Sequence, residues 1–376
     1  MKISILQKNL KRGVAIVSHI TSKNVNLPIL NNIKIEVSDK CIKLIATNLE
    51  IGVTHIIRGK VDKEGVVIVD SKILSNYISL LPNKQVDIES FDKHIHIHCD
   101  NYKTTLHGQQ GDDFPLLPVI DKENEIVVKA DSLKKALSQV IFAVSTNESR
   151  IDLSGVLFIL EDKEMCLVAT DSYRLAERRM SLEKPLTENK RLIVPSKTVQ
   201  EVIRILSSVS GEDDAMDEQE EVRIYISDNQ IMFKIGSTEL ISRLIEGQFP
   251  DYKQVIPTKI NTEVLIEKSE IVRATKAASL FSKNDVNDII LDFPENKNKL
   301  IVSSSSGQVG ENVIELKTNV HGVDNSLSLN YKYFLDGLGN VDGDRVRIEV
   351  VDKNSPCLIK PENIDNYLYI IMPIKK

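Results

Sequence analysis

Few residues in this sequence have the types and spacings that could do covalent or metal chemistry. Ser132-Leu133-Lys134-Lys135 fits the Ser-x-x-Lys spacing of serine acyl-enzymes, in which a lysine activates the attacking hydroxyl. No Lys-Thr-Gly accompanies it, and Ser132 stands where a helix cap belongs. His94, His96 and His98 share one strand face and could ligate a metal ion, but their alternation with Ile95 and Ile97 fits a solvent-facing strand better. No metal and no cofactor are expected. Cys41, Cys99, Cys166 and Cys357 lie far apart with no Cys-x-x-Cys, and three of them fall in apolar or strand-like segments, as reduced cytoplasmic thiols do. There is no Walker loop and no Gly-x-Gly-x-x-Gly between strand and helix. Gly337-Leu338-Gly339 follows a helical pattern and reads as a C-terminal cap and turn. No nucleophile, base and orienter converge, so the chain reads as non-enzymatic.

The chemistry that remains is electrostatic. A net charge of −6 argues against nucleic acid for the chain as a whole, so the placement of the charges decides. The predicted helices carry Lys8, Lys11 and Arg12, then Lys72, Lys134 and Lys135, Lys197 and Arg204, Lys268, Arg273 and Lys276, and Lys332. Asp131, Glu201, Glu270 and Asp336 offset only part of this, and the rest of the chain is acidic on balance. Residues 212–221 hold seven carboxylates in ten positions, a solvated loop by self-repulsion. If the basic helices share a face, that face can neutralise phosphates while the outside repels them. With aromatics at 5% and no Trp, stacking on single-stranded bases is not the mode.

The elements that position these residues come in repeats. Ala169-Thr170-Asp171-Ser172-Tyr173-Arg174-Leu175-Ala176 follows the apolar run Met165-Cys166-Leu167-Val168, and Ala46-Thr47-Asn48-Leu49-Glu50 is an earlier copy 123 residues before it. In the same register Leu10 maps to Leu133, Lys11 to Lys134, Val14 to Leu137, Leu30 to Leu153 and Ile33 to Val156. Helical spacing predicts a helix from Gln7 to about His19, and another from Ser71, read as its cap, to about Leu81 with Leu74, Tyr77, Ile78 and Leu81 inward. The second repeat predicts helices from Ser132 to about Val144 and from Ser196 to about Leu206, the latter burying Val199, Val202, Ile203 and Leu206. A third, diverged copy has a helix from Ser269 to about Leu280 and a last one carrying Phe334, Leu338 and Val341. Alternating segments such as Ile33-Lys34-Ile35-Glu36-Val37 supply the strands. Phe114-Pro115, Phe249-Pro250 and Met372-Pro373 close the three copies.

A chain of 376 residues suits two to three domains, and 41% apolar with 27% charged residues describes a folded, water-exposed protein. No run approaches the ~20 apolar residues of a membrane-spanning helix. The first residues lack the apolar core of a signal peptide, so a cytoplasmic location is expected.

Four segments together resemble one family. They are residues 169–176, Gly247-Gln248-Phe249-Pro250-Asp251-Tyr252, Leu27-Pro28-Ile29-Leu30 and Tyr369-Ile370-Ile371-Met372-Pro373-Ile374. The chain resembles the bacterial beta sliding clamps, the processivity subunits of DNA polymerase III, over residues 1–376. The resemblance implies an α+β chain of three repeated clamp domains, at 1–122, 123–257 and 258–376. Each would have two helices packed on antiparallel sheets, and the chain would form half of a six-domain ring. It implies a homodimer that encircles duplex DNA without reading sequence, with inner-face contacts at Lys8, Lys11, Arg12, Asn24, Lys72, Lys134, Lys135, Arg150, Lys197, Arg204, Arg273 and Lys276. Asn24 stands where Arg is frequent in the family. It further implies a groove for a linear peptide motif of the polymerase III catalytic subunit, the clamp loader and repair polymerases. That groove maps to Leu153, Thr170, Ser172, Tyr173, Arg174, Leu175, Pro250, Gln254, Val255, Ile371, Met372, Pro373 and Ile374. Ser172, Tyr173 and Gln254 replace the family's usual Gly, His and Arg. The dimer contact maps near Leu106 and Leu280, with Thr104 and Ser279 smaller than the apolar residues common there. A scaffold that uses the groove without DNA, and a hydrolase centred on Ser132, are the readings from other classes.

Overall fold

The computed structural model describes residues 1–21, 26–109, 113–147, 149–209, 221–282, 286–295 and 298–375. Asn24 and residues 212–220 of the acidic run lie outside this set. Among the described residues there are six α-helices: α1 (Gln7–Ser18), α2 (Ser71–Leu80), α3 (Ala130–Ile141), α4 (Ser196–Val209), α5 (Lys268–Ser279) and α6 (Tyr331–Asn340). All six predicted helices are present, and no described helix is long and apolar enough to cross a membrane.

The helices form where apolar residues recur at helical spacing. Leu10, Val14 and Val17 of α1 are fully buried, and each contributes roughly 1.5–3 kcal/mol by leaving water. Gln7 on the same face donates from Nε2 to the Ile78 carbonyl at 2.8 Å, tying α1 to α2. Details at the helix ends differ from the sequence reading. Ser71 is not the cap of α2 but its buried first residue; Asp70 caps it, accepting from the Ile73 amide at 2.7 Å. Asp wins because its carboxylate also faces the positive end of the helix dipole. Ser132 lies inside the first turn of α3 rather than at its cap, and is exposed. In α4 the fully buried fourth position is Ile205, with Ile203 half-buried, and in α2 Tyr77 is half-buried.

Packing sorts the chain into two compact units, residues 1–134 with 200–244, and 135–199 with 245–376. The first holds a thirteen-stranded sheet and the second a nine-stranded and a four-stranded sheet. This division cuts through the second sequence repeat, because strands pair across the repeat boundaries. In the first unit, Thr238–Arg243 pairs antiparallel with Ile51–Ile57 (Thr238 opposite His55, Ser242 opposite Ile51). In the second, Arg174–Ser181 pairs with Tyr367–Ile371 (Arg174 opposite Ile371, Leu175 opposite Ile370). A strand edge left open would be a template for other chains, and here each is closed by a segment roughly 190 residues away.

Gly337 and Gly339 correct another reading: both lie inside α6, not beyond it. A Cβ on Gly337 would collide with the ring of Tyr369, so the missing side chain is what lets α6 lie on the Tyr367–Ile371 strand. Gly339 has nothing within 4 Å. Gly337→Ala should therefore lower stability by roughly 1–3 kcal/mol through overpacking. Gly339→Ala should raise it by about 0.5–1 kcal/mol through helix propensity. Urea midpoints of the two variants check both signs.

Candidate functional site

The turn at residues 170–174 joins strand Glu164–Thr170 to strand Arg174–Ser181 and is held almost entirely by its own side chains. Thr170 Oγ1 donates to the Arg174 carbonyl at 2.6 Å and accepts from the Ser172 amide at 3.1 Å. Asp171 Oδ1 accepts from the amides of Tyr173 (2.9 Å) and Arg174 (3.0 Å). Ser172 takes a left-handed conformation, φ +77°, which costs an L-residue about 1–2 kcal/mol. The Thr170 and Asp171 side chains thus satisfy three amides and one carbonyl of the reversal, as the residue types that favour such turns do.

Arg174 locks this turn to the helices of its unit. Its Nε donates to Asp171 Oδ2 at 3.0 Å and its Nη1 to Asp336 Oδ2 on α6 at 2.6 Å. Its guanidinium lies 4.4 Å above the Tyr333 ring centroid and 5.6 Å from that of Phe142. Only 12% of the side chain is exposed, and a stacked arginine that bridges two carboxylates in this way is structural. The C-terminal segment attaches beside it. The Met372 amide donates to the Tyr173 carbonyl at 2.8 Å, the Ile374 amide donates to the Ser328 carbonyl at 2.8 Å, and Pro373 is buried.

Strand alternation divides the predicted groove residues between two faces. Leu153 and Leu175 belong to one apolar cluster with Leu157, Ile159, Cys166, Val168, Ile193, Phe249, Tyr252, Leu358 and Ile370. Partly buried Ile245, Ile256, Ile260 and Leu368 border it. Thr170 is paired opposite Leu175 and so shares this face. Arg174 and Ile371 pair with each other on the opposite, helix-covered face. Ile370, not Ile371, is therefore the strand residue beside Leu175. Phe249, Tyr252, Ile193, Leu358 and Ile370 were absent from the site predicted from sequence; a period-two reading of Tyr369-Ile370-Ile371 could have found Ile370. At the rim Tyr173 (64%), Val255 (41%), Ser172, Pro250 and Gln254 are exposed and Met372 is half-buried. Gln254 Nε2 donates to Asp251 Oδ2 at 2.9 Å. Burial, with Glu177 nearby, pushes the Cys166 thiol up to about 12, so it is packing and not a nucleophile. The arrangement is a buried apolar cluster bordered by exposed Tyr173, Val255 and Pro250 and half-buried Met372.

The basic candidates fall into two kinds. In the first unit Lys8, Lys11 and Lys72 are exposed on α1 and α2, and Arg12 is half-buried. Lys134 is half-buried. Arg204 is held by the buried Glu201 and donates to the Ile16 carbonyl at 2.6 Å, a structural post rather than an open cation. In the second unit Lys197, Arg273 and Lys276 are exposed, Lys135 pairs with Asp342 at 2.9 Å, and Arg150 pairs with Asp152 at 3.2 Å. The second residue of α2, α4 and α6 is in each case an exposed lysine: Lys72, Lys197 and Lys332. Lys332 was not among the predicted site residues, although aligning the three helix starts points to it. Leu106 is half-buried, and Leu280, at the C-terminal end of α5, is 72% exposed.

Comparison with known proteins agrees with these features. The DNA polymerase III beta subunit N-terminal, central and C-terminal domain profiles match residues 1–118, 127–251 and 253–375. The beta sliding clamp of Staphylococcus aureus is 31% identical over 364 residues, 94% of each chain. The chain belongs to the beta sliding clamp family of DNA polymerase III. A crystal structure of the sliding clamp from Bacillus subtilis has 29% identity and a TM-score of 0.92, over 100% of this chain and 99% of that one. The DNA polymerase III beta subunit of Thermotoga maritima has 25% identity and a TM-score of 0.91 with the same coverage. The fold is the α+β clamp fold, and the function is that of a DNA sliding clamp, a processivity factor with no catalytic role. Neither the serine hydrolase nor the DNA-free scaffold survives this membership.

The turn at residues 170–174 offers two substitutions whose effects its geometry sets. Ser172→Gly relieves the positive φ and should hold or raise stability by up to about 1 kcal/mol, after the entropic penalty of glycine. Thr170→Val removes a hydroxyl that serves two backbone groups and should cost about 1–3 kcal/mol. Chemical denaturation of both variants measures the difference.

Proposed function

We propose that two copies of this chain close head to tail into a six-domain ring around duplex DNA. The three clamp domains, 1–122, 123–257 and 258–376, would repeat around that ring, and the protein would act in the cytoplasm. An unpaired strand edge supports this reading. Ile51–Ile57, Arg174–Ser181 and Gly310–Lys317 occupy the same place in the three repeats. The first two are capped by Thr238–Arg243 and Tyr367–Ile371, whereas Gly310–Lys317 ends its four-stranded sheet. The matching last strand of the first repeat, Tyr102–Gln109, meets Ile68 and Val69 only at Gln109 and Gly108, leaving its remaining outer edge open. A second chain can cap the one with the other, near Leu106 and Leu280, by the pairing already used twice within the chain.

Within such a ring Lys8, Lys11, Lys72, Lys197, Arg273 and Lys276 meet phosphates loosely and without reading bases, so topology rather than affinity retains the DNA. The groove takes linear peptides from the polymerase III catalytic subunit, the clamp loader and repair polymerases, with Leu and Phe anchors on the Leu153–Leu175–Ile370 floor.

Sedimentation should give the mass of two chains, and the loaded protein should stay on nicked circular DNA while running off linear DNA. A strict monomer at every concentration would overturn the ring. Reversing Lys11, Lys72 and Lys197 to Glu should weaken DNA binding for every sequence. The log–log salt slope should become shallower by about 0.9 for each phosphate that is no longer neutralised. An unchanged slope would remove these helices from the DNA face. Deleting residues 372–376 takes away Met372 and the hydrogen bond to Tyr173, and should weaken a labelled clamp-binding peptide at least about tenfold, ~1.4 kcal/mol. Equal affinities in two folded dimers would place the peptide site elsewhere.

A further inference from the structure

The hairpin of strands His94–Cys99 and Tyr102–Gln109 puts two histidines directly opposite each other. His94 pairs with His107 across the strands, on the face away from the buried Ile95 and Ile97. Their Nδ1 atoms are 3.2 Å apart, and the rings stand edge to face at 85° with centroids 4.6 Å apart. The sequence suggested His94, His96 and His98 as a set, but neighbours on one strand face are separated by two residues of rise, about 6.6–6.8 Å. The partner His94 meets is on the next strand.

We propose that His94 and His107 chelate a divalent transition-metal ion of the zinc type through their two Nδ1 atoms. With zinc–nitrogen bonds of about 2.0–2.1 Å, two nitrogens 3.2 Å apart subtend roughly 100° at the ion, close to the tetrahedral angle. The ion sits about 1.3 Å off the line joining them, so each ring turns its lone pair roughly 40° from that line on binding. In the metal-free form one Nδ1–H donates to the other Nδ1. In the bound form both imidazoles are neutral with the proton on Nε2, and both Nδ1 lone pairs face the ion. His107 is exposed and His94 half-buried, which leaves the outer coordination positions open to water. Among the described residues no group of three or more His, Cys, Asp or Glu side chains is arranged to hold an ion, so this is a two-residue chelate of moderate strength.

The backbone keeps the pair in register. The Gly108 amide donates to the Lys93 carbonyl at 2.9 Å, and a Cβ on Gly108 would stand 2.5 Å from the carbonyl oxygens of both Ile68 and Lys93. On the same face His96 is occupied by Thr105 Oγ1 at 2.9 Å, and Glu89, opposite His96 on the next strand, pairs with Lys2 at 3.6 Å. His98, opposite Asp87 and Lys103, is the far member of the row.

Calorimetric titration of the full-length, tag-free protein with Zn2+ at neutral pH tests this. One ion per chain should bind, and His94→Ala or His107→Ala should each weaken binding roughly tenfold or more. His98→Ala should bind as the parent does. In NMR spectra of the seven histidines, Zn2+ should shift chiefly the His94 and His107 ring signals. No binding at millimolar Zn2+, or equal affinity in the parent and both single variants with native spectra, would overturn the proposal.

Discussion

An open strand edge must find a partner, and in this clamp that requirement joins one repeat to the next. At both repeat boundaries the partner is a strand from the following repeat, so hydrogen-bonded sheet, not a flexible linker, connects the copies. Side chains reinforce the pairing. His55 Nδ1 lies 2.8 Å from Thr238 Oγ1 at one junction, and Ala176 opposite Tyr369 lets that ring reach α6 at the other. A clamp held open at such a boundary would expose a row of amides and carbonyls, so closure and stability are the same property.

The apolar cluster around Leu175 is a by-product of that joining. Where Arg174–Ser181 meets Tyr367–Ile371, one face of the combined sheet is covered by helix and the other carries Leu175 and Ile370. Leu153, Phe249 and Tyr252 extend the same apolar floor from other segments. The turn at its edge is rigid because Thr170, Asp171 and Arg174 satisfy one another, with no strain beyond the single positive φ at Ser172.

The basic helices obey a different logic. Exposed lysines recur at one position of α2, α4 and α6, while Arg204 and Lys135 are drawn into ion pairs with Glu201 and Asp342. A sliding protein benefits from weak phosphate contacts, and lysine is a point charge without the bidentate geometry that would halt movement.

The threefold repeat, the six helices and the family were all legible in the amino-acid order. Those features rest on local periodicity and on a register that survives within each repeat. The order of residues could not tell which of Ile370 and Ile371 faces Leu175, that Arg174 points to α6, that Asp70 rather than Ser71 caps α2, or that Gly337 is a packing contact. All but the cap depend on what lies opposite: Tyr369 for Gly337, Asp336 for Arg174, Leu175 for Ile370, and His107 for His94. Partners distant in sequence meet only when strands register, and a one-residue change in register exchanges the two faces, so tertiary pairing alone fixes them.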